Sequence, residues 1–252
     1  MEQKIIDIKT LFQAADADKL PEIIKTYGQD KRSSIKAYVL SAKKKLEAMN
    51  QELERTEHMK FYEYQYAAAG YLCGIDEVGR GPLAGPVVAG AVILPKDCDI
   101  LYLNDSKQLS EKKREELYDV IMEKAIATGI GFSSPERIDE INILQATYEA
   151  MREAIDKLSL RPDLLLNDAV TIPGVSIKQV PIVKGDAKSI SIAAASIIAK
   201  VTRDRLMIKY AEVFPQYGFE GNKGYGSAAH IAALKQYGSS PIHRKSFIGH
   251  FV

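Results

Sequence analysis

The stretch from Gly74 to Gly90, GIDEVGRGPLAGPVVAG, limits the fold more than any other part of the chain. An apolar run ends in two adjacent carboxylates, Asp76 and Glu77, and the turn Gly79-Arg80-Gly81 follows at once. A second apolar run, built of small residues, begins at Pro86. This reads as strand, turn and buried strand, with acids where the first strand ends. Carboxylates at a strand end commonly hold a divalent metal, and glycines beside them let a backbone come close to a ligand. Adjacent residues of a regular strand point to opposite faces. Asp76 and Glu77 therefore converge only if the strand ends or bends there, which the glycines permit.

The rest of the chain divides in two by pattern. Residues 1–69 read as a helical N-terminal extension. Ile5, Ile8, Leu11 and Phe12 share one helical face; Leu20, Ile23, Ile24 and Tyr27 form a second set; Ile35, Val39, Leu40, Leu46 and Met49 begin a longer one. Near Gly70 the composition changes. Leu72 to Ile75, Pro86 to Leu94, Ala127 to Ser133, Leu164 to Leu166 and Val175 to Val183 read as strands. Ser110 to Ala127, Ile143 to Leu158 and Ser191 to Phe214 read as helices between or after them. Strands alternating with helices predict an α/β layer structure over residues 70–252, a mixed central sheet flanked by helices with a helical C-terminal part.

Composition narrows the function classes. With 252 residues and 46% hydrophobic content, the chain can build a full core. A net charge of +1 excludes a global basic field, so a nucleic-acid partner requires a local basic groove. Two cysteines, Cys73 and Cys98, make no disulfide framework and predict reduced thiols. No segment approaches the roughly 18 consecutive apolar residues of a membrane span. The N-terminus MEQKIIDIKT carries acids early and lacks the apolar centre of a signal peptide. The expectation is a cytoplasmic protein with no membrane contact.

Three strand ends carry acids: Asp76-Glu77, Asp168 and Asp186. Sites in such sheets form where strand ends converge. At 4 Å and an effective dielectric near 20, each ionised pair costs about 4 kcal/mol. Only cations or protonation relieve that. Oxygen-only ligation favours Mg or Mn over zinc. Two such ions about 3.5–4 Å apart would clamp a phosphodiester and activate water. Loop and capping roles for the aspartates are the plainer explanation from spacing alone. Gly79, Gly81 and Gly85 also spell a dinucleotide-binding GxGxxxG, but Pro82 and the neighbouring acids oppose it.

The motifs tip the balance. GIDEVGRGPLAGPVVAGAVIL, NDSKQLS at 104–110, KGDAKSISIAAASIIAKVTRD at 184–204, and NKGYGSAAHIAALKQYG with PIHRKSF at 222–247 together resemble the ordered blocks of type 2 ribonuclease H, ribonuclease HII. The related type 3 enzymes lack the GRG tripeptide. The resemblance, over about 72–248, implies a ribonuclease H-like fold. It implies cleavage of RNA in RNA–DNA hybrids and at single ribonucleotides embedded in duplex DNA, leaving 5′-phosphate and 3′-OH ends. The family's acidic quartet falls on Asp76, Glu77, Asp168 and Asp186, the metal ligands and catalytic groups. Asp163, the acid competing with Asp168, sits at the start of its strand rather than its end. Reading of the ribose 2′-OH falls to Gly79, Arg80 and Gly81, and a contact at the ribonucleotide–DNA junction to Tyr225.

Lys184 and Lys188, which flank Asp186, fit phosphate contacts or plain solvation equally. His230, His243 and Arg244 recur in the family pattern with structural or phosphate roles both open. Lys31, Arg32, Lys36 and Lys43 to Lys45 give residues 1–69 a surface for nucleic acid or a protein partner, or merely a solvated face. Two rival readings remain: a nuclease of the same fold with another nucleic-acid substrate, and a non-catalytic nucleic-acid-binding module.

Overall fold

Parallel strands bring their carboxyl ends to one edge of a sheet, and this geometry organises the larger part of the protein. The computed structural model describes residues 4–251. The chain divides into two compact units, Met1–His58 and Met59–Val252. The division falls before the change of composition at Gly70, so residues 59–69 belong with the second unit.

The first unit is helical. Helices α1 (Ile5–Ala14), α2 (Leu20–Tyr27) and the long α3 (Ser33–Met59) bury Ile8, Leu20, Ile23, Ile35, Val39 and Ala42. Phe12 and Tyr27 complete this small core with ring centroids 5.9 Å apart. The apolar stripe is narrower than the sequence suggests: Ile5, Leu11 and Leu40 are exposed.

In the second unit, the short helix α4 (Phe61–Gln65) precedes β1 (Leu72–Val78) and β2 (Val87–Ile93). Next come α5 (Glu111–Lys124), β3 (Ala127–Ser133), α6 (Pro135–Asp156), β4 (Leu164–Asp168) and β5 (Lys178–Ile182). The chain closes with α7 (Ile190–Val213), α8 (Phe219–Asn222), α9 (Ala228–Tyr237) and α10 (Lys245–Ile248). The sheet order is β3-β2-β1-β4-β5. The β1–β2 and β2–β3 pairs are antiparallel, and β1–β4 and β4–β5 are parallel, so the sheet is mixed. Every residue of β2 is buried, as a strand covered on both faces requires. Val87, Ala89, Ala91 and Ile93 pack toward Ala146, Ala150 and Ala154 of α6; Val92 packs with α7 and with Leu117 and Ile121 of α5.

The first half of α7 is buried all round, so it is a central helix rather than an amphipathic one. It lies unusually close to the sheet. A Cβ added at Gly74 of β1 would collide with the Ser191 carbonyl group, and one at Gly90 of β2 with the Ala195 carbonyl. Alanines at 193–195 allow the same approach from the helix side.

Element boundaries differ from the sequence reading for identifiable reasons. Strand β1 does not stop before the acids but runs through Val78, pairing Asp76 with Gly90 and Glu77 with Ala89. Helix α6 begins at Pro135 rather than Ile143 and is kinked at Asn142, whose φ is 70°. The Asn142 side chain accepts from the Leu144 and Gln145 amides at 3.0 and 3.1 Å, restarting the helix as an internal cap. Among the described residues, no helix is long and apolar enough to cross a membrane.

Candidate active site

Strands β1, β4 and β5 run parallel, and their register carries the acids to one edge. Ile75 pairs with Asn167 and Asp168 with Ile182, after which the chain turns through Gly185 to Asp186. Asp163 lies at the opposite end of β4, where its carboxylate accepts the Tyr71 amide at 2.8 Å.

Asp76 is 5% exposed. Its pKa is raised well above the ordinary carboxylate value by burial first, then by Glu77 and Asp168, against a lowering hydrogen bond from Ser196. The Ser196 and Ser106 hydroxyls also meet at 2.9 Å, both serines being buried. Glu77 is likewise raised by burial and by Asp168, although the Arg80 guanidinium, 3.2 Å from Oε1, pulls the other way. Burial, Asp168 and Asp105 raise Asp186. Asp168 acts on all three other acids, and its Oδ1 accepts the Gly185 amide at 2.7 Å. Among the described residues, no three His, Cys, Asp or Glu side chains already close round one point as a finished ligand set. The donor chemistry nevertheless fits hard divalent ions. The oxygens are all carboxylate, Asp76 is buried, and each charge raises its neighbours' cost, which a cation offsets.

Lys107 stands in the same field. Burial works against its charge, but Asp105, Asp76 and Asp186 outweigh burial and its pKa rises. Lys184 and Lys188 are exposed on either side of Asp186, with Lys184 in the left-handed region at φ 57°.

Two fully buried arginines hold the backbone here, Arg244 the Gly79-Arg80-Gly81 turn and Arg203 the segment that follows it. Arg244 donates to the carbonyls of Arg80 at 2.9 Å, Gly79 at 2.6 Å, and Gly85 at 2.7 and 2.9 Å. Arg203 donates to those of Pro86 at 3.0 Å, Ala84 at 3.0 Å and Lys223 at 2.9 Å. Burial and the neighbouring Arg203 charge push Arg244 down to about 9. Gly79, at φ 88°, is required by its conformation and because any Cβ would strike the Arg203 side chain. Gly81 is different. A Cβ there would meet nothing within 4 Å, so the folded chain itself does not demand glycine.

Tyr225 is 40% exposed, with the Arg203 guanidinium 5.8 Å from its ring centre. Its carbonyl is held by a buried histidine pair whose tautomers follow from the bonding. The Ser240 amide donates to His243 Nδ1 at 2.9 Å, so that nitrogen accepts and Nε2 carries the proton. His243 Nε2–H then donates to His230 Nε2 at 2.9 Å, and His230 Nδ1–H donates to Tyr225 O at 2.8 Å. Burial, reinforced by His230, pushes His243 down to about 4, keeping the pair neutral. Tyr217 and Phe219 pack around both rings.

Arg203 and Lys107 join the site although the residue pattern alone does not single them out. Lys107 sits within the NDSKQLS block, which is its only signal. Arg203 likewise lies within the 184–204 block, but its burial against backbone carbonyls leaves no mark there.

Comparison with known proteins identifies the family. A family model described as Ribonuclease HII matches residues 73–250, and one described as Ribonuclease HII N-terminal domain matches residues 4–67. Ribonuclease HII of Lachnoclostridium phytofermentans is 68% identical over 222 residues, 88% of this chain and 87% of that protein. Ribonuclease HII of Clostridioides difficile is 51% identical over 249 residues, 98% of each chain. The crystal structure of ribonuclease H2 from Pyrococcus horikoshii OT3 superposes with a TM-score of 0.60 at 29% identity, covering 72% of this chain and 98% of that one.

Proposed function

Because the chain belongs to the ribonuclease HII family of endoribonucleases, we propose that it cuts RNA in RNA–DNA hybrids and at single ribonucleotides embedded in duplex DNA, leaving 5′-phosphate and 3′-OH ends. The observation that carries this reading is the shared strand edge, where buried Asp76 lies within electrostatic reach of Glu77 and Asp168, and Asp168 of Asp186. Asp76, Glu77, Asp168 and Asp186 are the residues that would hold Mg or Mn, two ions in all. When bound, such ions supply Lewis acidity at the phosphodiester and lower the pKa of water.

The chain's own residues supply position and selectivity. Arg244 fixes the carbonyls of Gly79 and Arg80, which makes the turn rigid. The absence of a side chain at Gly81 leaves room for a sugar–phosphate backbone. A site built to bond the 2′-OH leaves polar groups unpaired on deoxyribose and can reject it by about 10⁴–10⁵. Gly79, Arg80 and Gly81 take this part, and exposed Tyr225 meets the junction nucleotide. Arg80 is well placed to exchange its Glu77 partner for phosphate. Lys107, Lys184 and Lys188 add cations beside the acids for the substrate backbone. Catalysis is assigned to the unit Met59–Val252, which carries all four acids. In the helical unit Met1–His58, exposed Lys31, Lys36, Lys43, Lys44 and Lys45 favour a nucleic-acid contact.

Three matched duplexes test the proposal: all DNA, DNA with one ribonucleotide, and an RNA–DNA hybrid, each with Mg, Mn or a chelator. Metal-dependent cleavage of the last two alone is expected. Cleavage of all-DNA duplex, or binding without cleavage, would overturn it in favour of another nuclease or a binding module.

A further inference from the structure

The N-terminus of α7 is capped from far away in sequence. Ser189, its N-cap residue, accepts the Ile192 amide at 3.3 Å through its hydroxyl. That same hydroxyl donates at 2.5 Å to Oε1 of Glu63, 126 residues earlier, and Oε1 also accepts the Ser191 amide at 3.0 Å. Glu63 lies on α4, in the stretch matched as the N-terminal domain and outside residues 73–250, yet it packs within the second compact unit. Its neighbours Tyr62 and Tyr66 join Leu164, Leu166, Ile182 and Ile192 in one apolar cluster.

The bonds made by Glu63 fall at a sensitive place. Ser191 is the point where α7 touches Gly74, two residues before Asp76 on β1. Upstream, the Ser189 amide donates to Gly185 O at 2.8 Å, and the Gly185 amide donates to Asp168. The segment 184–191, which carries Asp186, is thus fastened at one end by Asp168 and at the other by Glu63.

We propose that Glu63 is a positioning residue for the acidic site, setting where Asp186 stands relative to Asp76 and Asp168. This rests on the metal-site reading given above. It gives the residues just before Gly70 a duty at the site: α4 completes the scaffold of the acidic edge rather than merely joining the extension to it.

The test uses the full-length chain and the variants Glu63→Ala, Glu63→Gln and Asp186→Asn. Glutamine keeps an acceptor oxygen of the same reach. Two readouts apply: Mn binding by calorimetric titration, and amide hydrogen exchange of residues 185–192 in metal-free protein. Glu63→Ala is expected to speed exchange in that segment and weaken Mn binding roughly tenfold, the range for groups that orient metal ligands. It should lower kcat while leaving KM for the nucleic acid near wild type. Glu63→Gln should restore all of these. Unchanged exchange and Mn affinity in Glu63→Ala would overturn the proposal, as would equal damage in Glu63→Gln. Full Mn affinity in Asp186→Asn would instead remove Asp186 from the quartet, and the metal-free exchange would still decide the role of Glu63.

Discussion

Acidification probes the buried histidine pair directly. His243 is 3% exposed, and burial together with the His230 charge depresses its pKa from 6.5 to about 4. The folded state therefore binds its proton later than the unfolded chain does. The resulting stability is present above pH 6.5 and is lost as pH falls toward 4. Between pH 8 and pH 5, an unfolded pKa of 6.5 and a folded one of about 4 give a loss of about 2 kcal/mol. The carboxylates complicate the raw curve, because Asp76, Glu77, Glu63 and Asp186 are raised and act with the opposite sign. Comparison with His243→Gln isolates the histidine, since glutamine can accept from Ser240 and donate to His230 without titrating. Urea unfolding of both proteins at half-unit pH steps should show the wild type losing about 2 kcal/mol relative to the variant by pH 5. Parallel curves would refute the neutral relay that holds the Tyr225 carbonyl.

Three further outcomes follow from the geometry. Asp76→Asn should abolish cleavage yet leave metal-free thermal stability unchanged or raised, because it removes a buried charge facing Glu77 and Asp168; differential scanning calorimetry with a gel assay checks both halves. Gly81→Ala should unfold like wild type but lose activity on ribonucleotide-containing duplex, whereas Gly79→Ala should lose stability as well, since its Cβ meets Arg203; chemical denaturation beside kinetics separates them. A protein starting at Met59 should fold and retain metal-dependent cleavage, with a salt dependence of binding flatter by about 0.9 in log–log slope for each phosphate that the extension neutralises; filter binding across a salt series measures it.

Much of this arrangement is legible from residue order because strands and helices alternate with distinct periods. The apolar runs at Leu72, Pro86 and Leu164 mark the central strands, and the acids after Leu72–Ile75 and Leu164–Leu166 mark the edge where they meet. The end of β1 is not legible. Acidic Asp76 and Glu77, with Gly79 just beyond Val78, look like a loop, but pairing with Ala89 and Gly90 keeps them in the strand. The start of α6 is hidden because the charged Glu136, Arg137, Asp139 and Glu140 surround Ile138 and the left-handed Asn142 breaks the apolar period. Arg203 and Arg244 lie in the motif blocks, but their burial is not legible there because arginine is ordinarily exposed; here backbone carbonyls brought together by the fold satisfy them. The His230–His243 pair depends on a loop that leads from α9 back through the Ser240 turn, and spacing along the chain does not encode that contact.

The most direct test of the central claim maps the cut in a DNA duplex carrying one ribonucleotide, in Mn or Mg, with end-group analysis of both products. One incision on the 5′ side of the ribonucleotide is expected, leaving 3′-OH and 5′-phosphate ends, and absent from a chelated reaction and from Asp76→Asn. Incision on the 3′ side with a cyclic phosphate product, or metal-independent cleavage, would contradict it.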